Sequence, residues 1–170
     1  MAVVAWVFLG LLLLFGVVVF RGAPYVPSKK RDIALAFDEL YKLSEKDMLV
    51  DIGSGDGVVL RLAAKKGARA VGYEINPLLV LISRFLSRHE GNIVIKWADF
   101  WLSKLPDGTT VVYTFGESRH IAKMLDYVQR EAIRLNKDLY LISYGFEVPD
   151  QKYYRRSSLH FMYKLEPLQS

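Results

Sequence analysis

The chain contains no cysteine. Disulfides, thiolate nucleophiles and thiolate metal sites are excluded at once. Its histidines, His89, His120 and His160, lie far apart and show no ligand spacing. They are expected at the surface, and no metal is expected. Charge of one sign is also in short supply. The formal net charge is +5, and no Lys/Arg stripe interleaved with aromatics is present to argue for nucleic acid. Repeats and low-complexity tracts are missing, and 170 residues suffice for one domain of ordinary size.

What the chain has in excess is apolar side chains, 52% of the total, a little above a soluble domain. Much of that sits in residues 2–20, AVVAWVFLGLLLLFGVVVF, with no charged or strongly polar residue. As a helix this run is about 28 Å long, close to the thickness of a bilayer core. A cleaved signal peptide is the competing reading. It wants a charged start, a shorter apolar core and a small-residue cleavage site, whereas only Met1 precedes this run and Phe20-Arg21 closes it. A core helix is disfavoured because the run is apolar all round. Residues 1–21 are therefore expected to be a transmembrane anchor, with the bilayer as partner through residues 2–20. Arg21, Lys29, Lys30 and Arg31 follow the span. The positive-inside rule puts the body in the cytoplasm, or on the matrix side if the membrane is mitochondrial. The same cations can attract anionic head groups.

Residues 22–47 read as a linker stiffened by Pro24 and Pro27, then a helix over 30–43 with Ile33, Ala36, Phe37, Leu40 and Leu43 at helical spacing. Residues 48–170 form the main domain. Strands are predicted at 48–52, 68–74, 92–97, 109–115, 139–144 and 160–165, and helices at 57–66, 78–89 and 118–135. The alternation means an α/β fold, a mostly parallel sheet of about six strands with helices on both faces. Residues 145–158 leave room for a loop but hardly for another helix and strand.

The stretch LVDIGSGDG, residues 49–57, carries the chemistry. Ligands of open parallel sheets bind beyond the C-terminal strand ends. Glycines there let the backbone turn sharply and approach a ligand. A dinucleotide loop wants a third glycine where Val58 stands, and Asp56 would repel a pyrophosphate. A ligand with a cationic centre and no phosphate fits better, and S-adenosylmethionine is one. Asp51 and Asp56 can attract its positive end while Gly53 and Gly55 clear space. Glu74, ending the second strand, can accept from ribose hydroxyls. Asp99 can accept from the adenine amino group, and Phe100 can cover the ring. Glu74 as a surface carboxylate and Asp99 as a turn residue are the plain alternatives.

The anchor followed by APYVPS (residues 23–28), then DIGSGDG (51–57), GYEINP (72–77), DFW (99–101) and Phe115-Gly116 resembles the membrane-anchored class I methyltransferases. The likeness is to the mitochondrial lysine methyltransferases acting on the ATP synthase c-subunit and the adenine nucleotide translocase. It covers nearly the whole chain. It implies a Rossmann-like class I methyltransferase sheet and S-adenosyl-L-methionine as methyl donor. It also implies that residues 25–28 fold back over the donor, with Tyr25 and Pro27 at the site. The donor set is then Pro27, Asp51, Gly53, Ser54, Gly55 and Asp56, with Gly57, Glu74, Asn76, Asp99 and Phe100. Tyr25 and Glu117 are the positioning candidates. Two departures from the family pattern, Val58 for a polar residue and Glu117-Ser118 after Phe115-Gly116, bear on the acceptor, because in the family the end of that fourth strand borders the substrate. The implied function is a protein-lysine N-methyltransferase for a membrane or membrane-proximal protein. A lipid or amphiphile methyltransferase and a non-catalytic nucleoside-binding module are the alternatives.

Overall fold

The computed structural model describes residues 30–115 and 120–167, together with Trp6 and Gly10. The expected anchor, apart from those two residues, lies outside the described part, as do Tyr25, Pro27 and Glu117. Among the described residues no helix is long and apolar enough to cross a membrane.

The core is a sheet in the order β3-β2-β1-β4-β5-β7-β6. Its strands are β1 Met48–Ile52, β2 Arg69–Glu74, β3 Ile93–Trp97, β4 Val111–Thr114, β5 Leu139–Tyr144, β6 Arg155–Ser157 and β7 His160–Leu165. The first five run parallel, and β7 and β6 are antiparallel to their neighbours. The helices are α1 Lys30–Leu35, α2 Val58–Lys65, α3 Pro77–Leu86 and α4 Ile121–Leu135. Seven strands replace the six expected, because residues 155–157 pair with β7 where a loop was read. Arg155 and Arg156 are polar and lie on the sheet edge, and the hairpin turns through Ser158 at φ 51°. A turn without Asn-Gly or Asp-Gly carries little hairpin signal.

Two apolar layers sandwich the sheet. On one face Ile33 and Phe37 from the N-terminal helix and Val59, Leu60 and Ala63 from α2 pack on Leu49, Val111, Tyr113 and Ile142. On the other, Ile121, Leu125, Val128 and Ala132 of α4 cover Val50, Val112 and Leu141. The helix expected over 30–43 stops sooner: α1 passes into a π turn at Ala36–Leu40 and ends there.

The cover is thin at the β3 end. Leu78, Leu81, Ile82, Phe85 and Leu86 of α3 are exposed, while Val80, Ser83 and Ser87 are buried. A surface helix normally does the reverse. The cause is local. A Cβ on Gly57 would stand 2.3 Å from Ser83 Oγ, so the glycine loop and α3 approach too closely for large side chains. The helix must turn its small face inward.

Candidate active site

In the sheet the chain steps from β1 outward to β2 on one side and to β4 on the other. The loop after β1 therefore opens into the crevice where parallel sheets bind ligands. Gly53, Gly55 and Gly57 have φ of 73°, 53° and 80°, a region that penalises any Cβ. The loop is strapped to β2: the amides of Gly53 and Ser54 both donate to the Tyr73 carbonyl, at 2.9 and 3.1 Å. A Cβ on Gly53 would meet nothing within 4 Å. That open side is where a ligand can lie against the backbone.

Glu74 organises the rim. Its carboxylate accepts from the Gly55 amide at 2.9 Å and from the Asn76 amide at 2.8 Å. Asn76 Oδ1 in turn accepts from Leu78 N and Leu79 N at 3.0 and 3.4 Å, capping α3 ahead of Pro77. Asn76 is thus the N-cap of α3 and Pro77 its first residue. Ala98 N donates to the Glu74 carbonyl at 3.1 Å, which draws the end of β3 alongside. Asp99 follows, and its Oδ1 accepts from Trp101 N at 2.9 Å, opening the short 3-10 turn. Phe100 packs on Trp101 at 4.2 Å between centroids and on Tyr127 edge-on at 6.1 Å. Glu74 and Asp99 therefore share one rim, and Phe100 belongs to an aromatic cluster beside it.

Asp51 is buried at the end of β1, level with Gly72 and Tyr113 on the flanking strands. Burial, then the nearby charges of Glu74 and Asp56, push its carboxyl well above the usual range. A buried acid in that state fits a cationic ligand, which brings the countercharge the protein lacks there. The Asp56 carboxylate accepts from Val58 N at 3.2 Å and pairs with Arg61 at 3.3 Å. These contacts fix the start of α2. Ser54 is buried, and Gly57 seats α3.

Across the crevice lies a polar seam that the sequence did not reveal. Tyr113 Oη and His160 Nε2 are 3.0 Å apart, and the His160 ring stacks on Tyr144 at 4.6 Å. Tyr144 Oη donates to Asp32 of α1 at 3.2 Å. His160 is fully buried rather than at the surface. Desolvation lowers its pKa to about 4. The pairing of Tyr144 with His160 across β5 and β7 brings them together; no sequence spacing encodes it. Phe115 closes this side, edge-on to Tyr144 at 5.1 Å. Among the described residues no three His, Asp or Glu side chains are grouped to hold a metal ion.

A family model described as the ANTKMT methyltransferase domain matches residues 51–155. The chain belongs to that family. The human lysine N-methyltransferase of the ATP synthase c-subunit is 37% identical over 130 residues, 74% of this chain and 53% of the relative. Its Xenopus laevis namesake is 47% identical over 68 residues, 40% of this chain and 29% of the relative. The chain thus spans about half or less of these relatives. Among solved structures, an RNA methyltransferase from Salinibacter ruber in complex with S-adenosyl-L-homocysteine superposes with a TM-score of 0.74 at 25% identity, over 85% of this chain and 96% of that one. The family fold, the glycine loop and the acidic rim together make this an S-adenosylmethionine-dependent methyltransferase domain.

Proposed function

We propose that this domain methylates a lysine side chain of a membrane or membrane-proximal protein, and that residues 2–20 hold it at the bilayer. The body then faces the cytoplasm, or the matrix in a mitochondrial membrane. The observation that carries the reading is the buried, charge-raised Asp51 carboxyl beside the open side of Gly53, at the rim organised by Glu74. Support for lysine as acceptor comes from the names of the human and Xenopus relatives.

Bound at this rim, S-adenosylmethionine supplies a sulfonium methyl for in-line displacement. Glu74 orients the ribose, Asp99 the base, and Asp51 the cationic end. The protein's further task is to align the amine, since well-oriented reactants gain several kcal/mol. The lysine must be neutral. Deprotonating a free lysine at pH 7 costs about 4.6 kcal/mol, from its pKa of about 10.4. An apolar wall at Phe115 favours the neutral amine, as does a nearby positive charge. No dedicated base is required. Tyr25 and Pro27 are assigned to the cover over the donor, and Glu117 to orienting the amine.

The test is to incubate native membranes with donor carrying a labelled methyl, comparing wild type with Asp51→Ala. Label in a protein band lost with Asp51→Ala is expected. Label in the lipid extract or in RNA would replace lysine by another acceptor, and no label with intact donor binding would leave a non-catalytic module.

A further inference from the structure

The exposed face of α3 contains none of the residues placed at the donor site. Leu78, Leu81, Ile82, Phe85 and Leu86 lie between 39% and 64% exposed. Their spacing puts them on one face of the helix. Ile75 and Trp97 extend the patch to the end of β3. Trp97 Nε1 donates to the Ile75 carbonyl at 3.0 Å, which holds the indole at the N-terminal end of the stripe. Contiguous apolar surface on this scale marks an interaction site.

We infer that this face is a docking surface for an anionic lipid bilayer, lying in the head-group region with the stripe turned toward the acyl chains. Charge selects the occupant. On α3 and the turn after it stand Arg84 and Arg88 against the single acid Glu90. Arg88 lies over the Phe85 ring at 4.4 Å, so a guanidinium sits at the level of the stripe. Arg84 donates to the Ile95 carbonyl at 2.9 Å and is fixed at the stripe's border. An apolar helix face fringed by cations, with an indole at its end, matches a bilayer interface. Leu78, Leu81 and Phe85 are each more than half exposed. They stand proud of the surface, which suits insertion better than capture of a helix in a groove.

The tether agrees. If residues 2–20 span the membrane, as proposed above, the eight residues 22–29 reach at most about 29 Å. The body cannot leave the surface. Because α3 begins just after Asn76, two residues from Glu74, docking sets the donor rim beside the head groups, where a lysine near a membrane surface is within reach.

The absence of native cysteine allows a clean probe. A nitroxide is attached to Leu81→Cys in the full chain, and to the exposed control Lys152→Cys, in phosphatidylcholine vesicles with and without phosphatidylglycerol. Flotation reports the anchor, and the label's collision rates with oxygen and with a nickel chelate report the face. The expected result is a label at position 81 rich in oxygen collisions and shielded from nickel, while position 152 stays aqueous. Adding Phe85→Glu abolishes the shielding, with S-adenosylhomocysteine binding retained as proof of fold. A chain that floats with position 81 as nickel-accessible as position 152 overturns the docking face but not the anchor. A chain that neither floats nor shields position 81 overturns both. Shielding from oxygen and nickel alike in native membranes means a protein covers the face and overturns the lipid assignment. Shielding undiminished without phosphatidylglycerol overturns the part given to Arg84 and Arg88.

Discussion

Asp51 and His160 are both buried ionisable groups whose charged forms burial disfavours, and each makes a pH-dependent prediction of its own. A cation bound beside Asp51 stabilises its carboxylate and lowers its pKa, so binding expels a proton. Donor affinity therefore rises with pH through the interval between the bound and free pKa values, the free one being raised. Calorimetry of S-adenosylmethionine binding in buffers of different ionisation enthalpy should show net proton release, and Asp51→Asn should abolish the release and weaken binding about tenfold or more. A linkage of zero in wild type would separate Asp51 from the ligand's charge. His160 works on stability instead. Its pKa falls from 6.5 to about 4 on folding. Between those values the unfolded chain binds the proton and the folded chain does not, so stability is lost as pH falls. The loss reaches about 3 kcal/mol by pH 4. Urea midpoints across that interval should drop in wild type, with a shallower slope in His160→Gln.

At the scale of elements, the glycine loop shows two kinds of requirement in one motif. Gly53 and Gly57 share a left-handed φ, yet only Gly57 is also packed, with Ser83 Oγ in the way of a Cβ. Gly53→Ala carries about 1–3 kcal/mol of backbone strain, keeps the fold, and pushes a methyl into the donor's path. Gly57→Ala adds a clash that separates the loop from α3, so its melting temperature should fall well below that of Gly53→Ala. The two variants should thus split, one losing S-adenosylhomocysteine binding in a folded protein and the other losing stability first. Equal melting temperatures would refute the distinction. The motif was legible in the sequence, as were β5 and β7, read at 139–144 and 160–165 with the bounds observed. Each is a run of strand-forming residues. The orientation of α3 was not legible. Its apolar residues go nearly all round, and only the Gly57–Ser83 approach decides which face goes inward. His160 and Arg155–Ser157 were missed for a related reason. Their environment comes from a strand pairing at the far edge of the sheet, and no local periodicity signals it.

For the whole molecule, the matched family region and the folding unit differ in extent. The match covers residues 51–155, yet β1 begins at Met48, α1 and its π turn cover one face from Lys30, and β7 runs to Leu165. Phe161, Met162, Tyr163 and Leu165 of β7 are all buried. Four such side chains contribute about 6–12 kcal/mol by burial alone, as much as a typical domain's net stability of about 5–15 kcal/mol. Deleting β7 also leaves the β5 edge unpaired along Leu139–Tyr144, an aggregation-prone strand. Ile33, Phe37 and Leu40 make the same case for the N-terminal helix, since all are buried on the opposite face. A fragment limited to residues 51–155 should therefore show no cooperative thermal transition and no S-adenosylhomocysteine binding. A fragment of residues 30–167 should unfold in one step and bind the product, more weakly than the full chain for want of Pro27, because the seven described strands and both apolar layers lie within it. Cooperative unfolding of the shorter fragment would mean that the glycine loop and its rim stand on a smaller core than the one packed here.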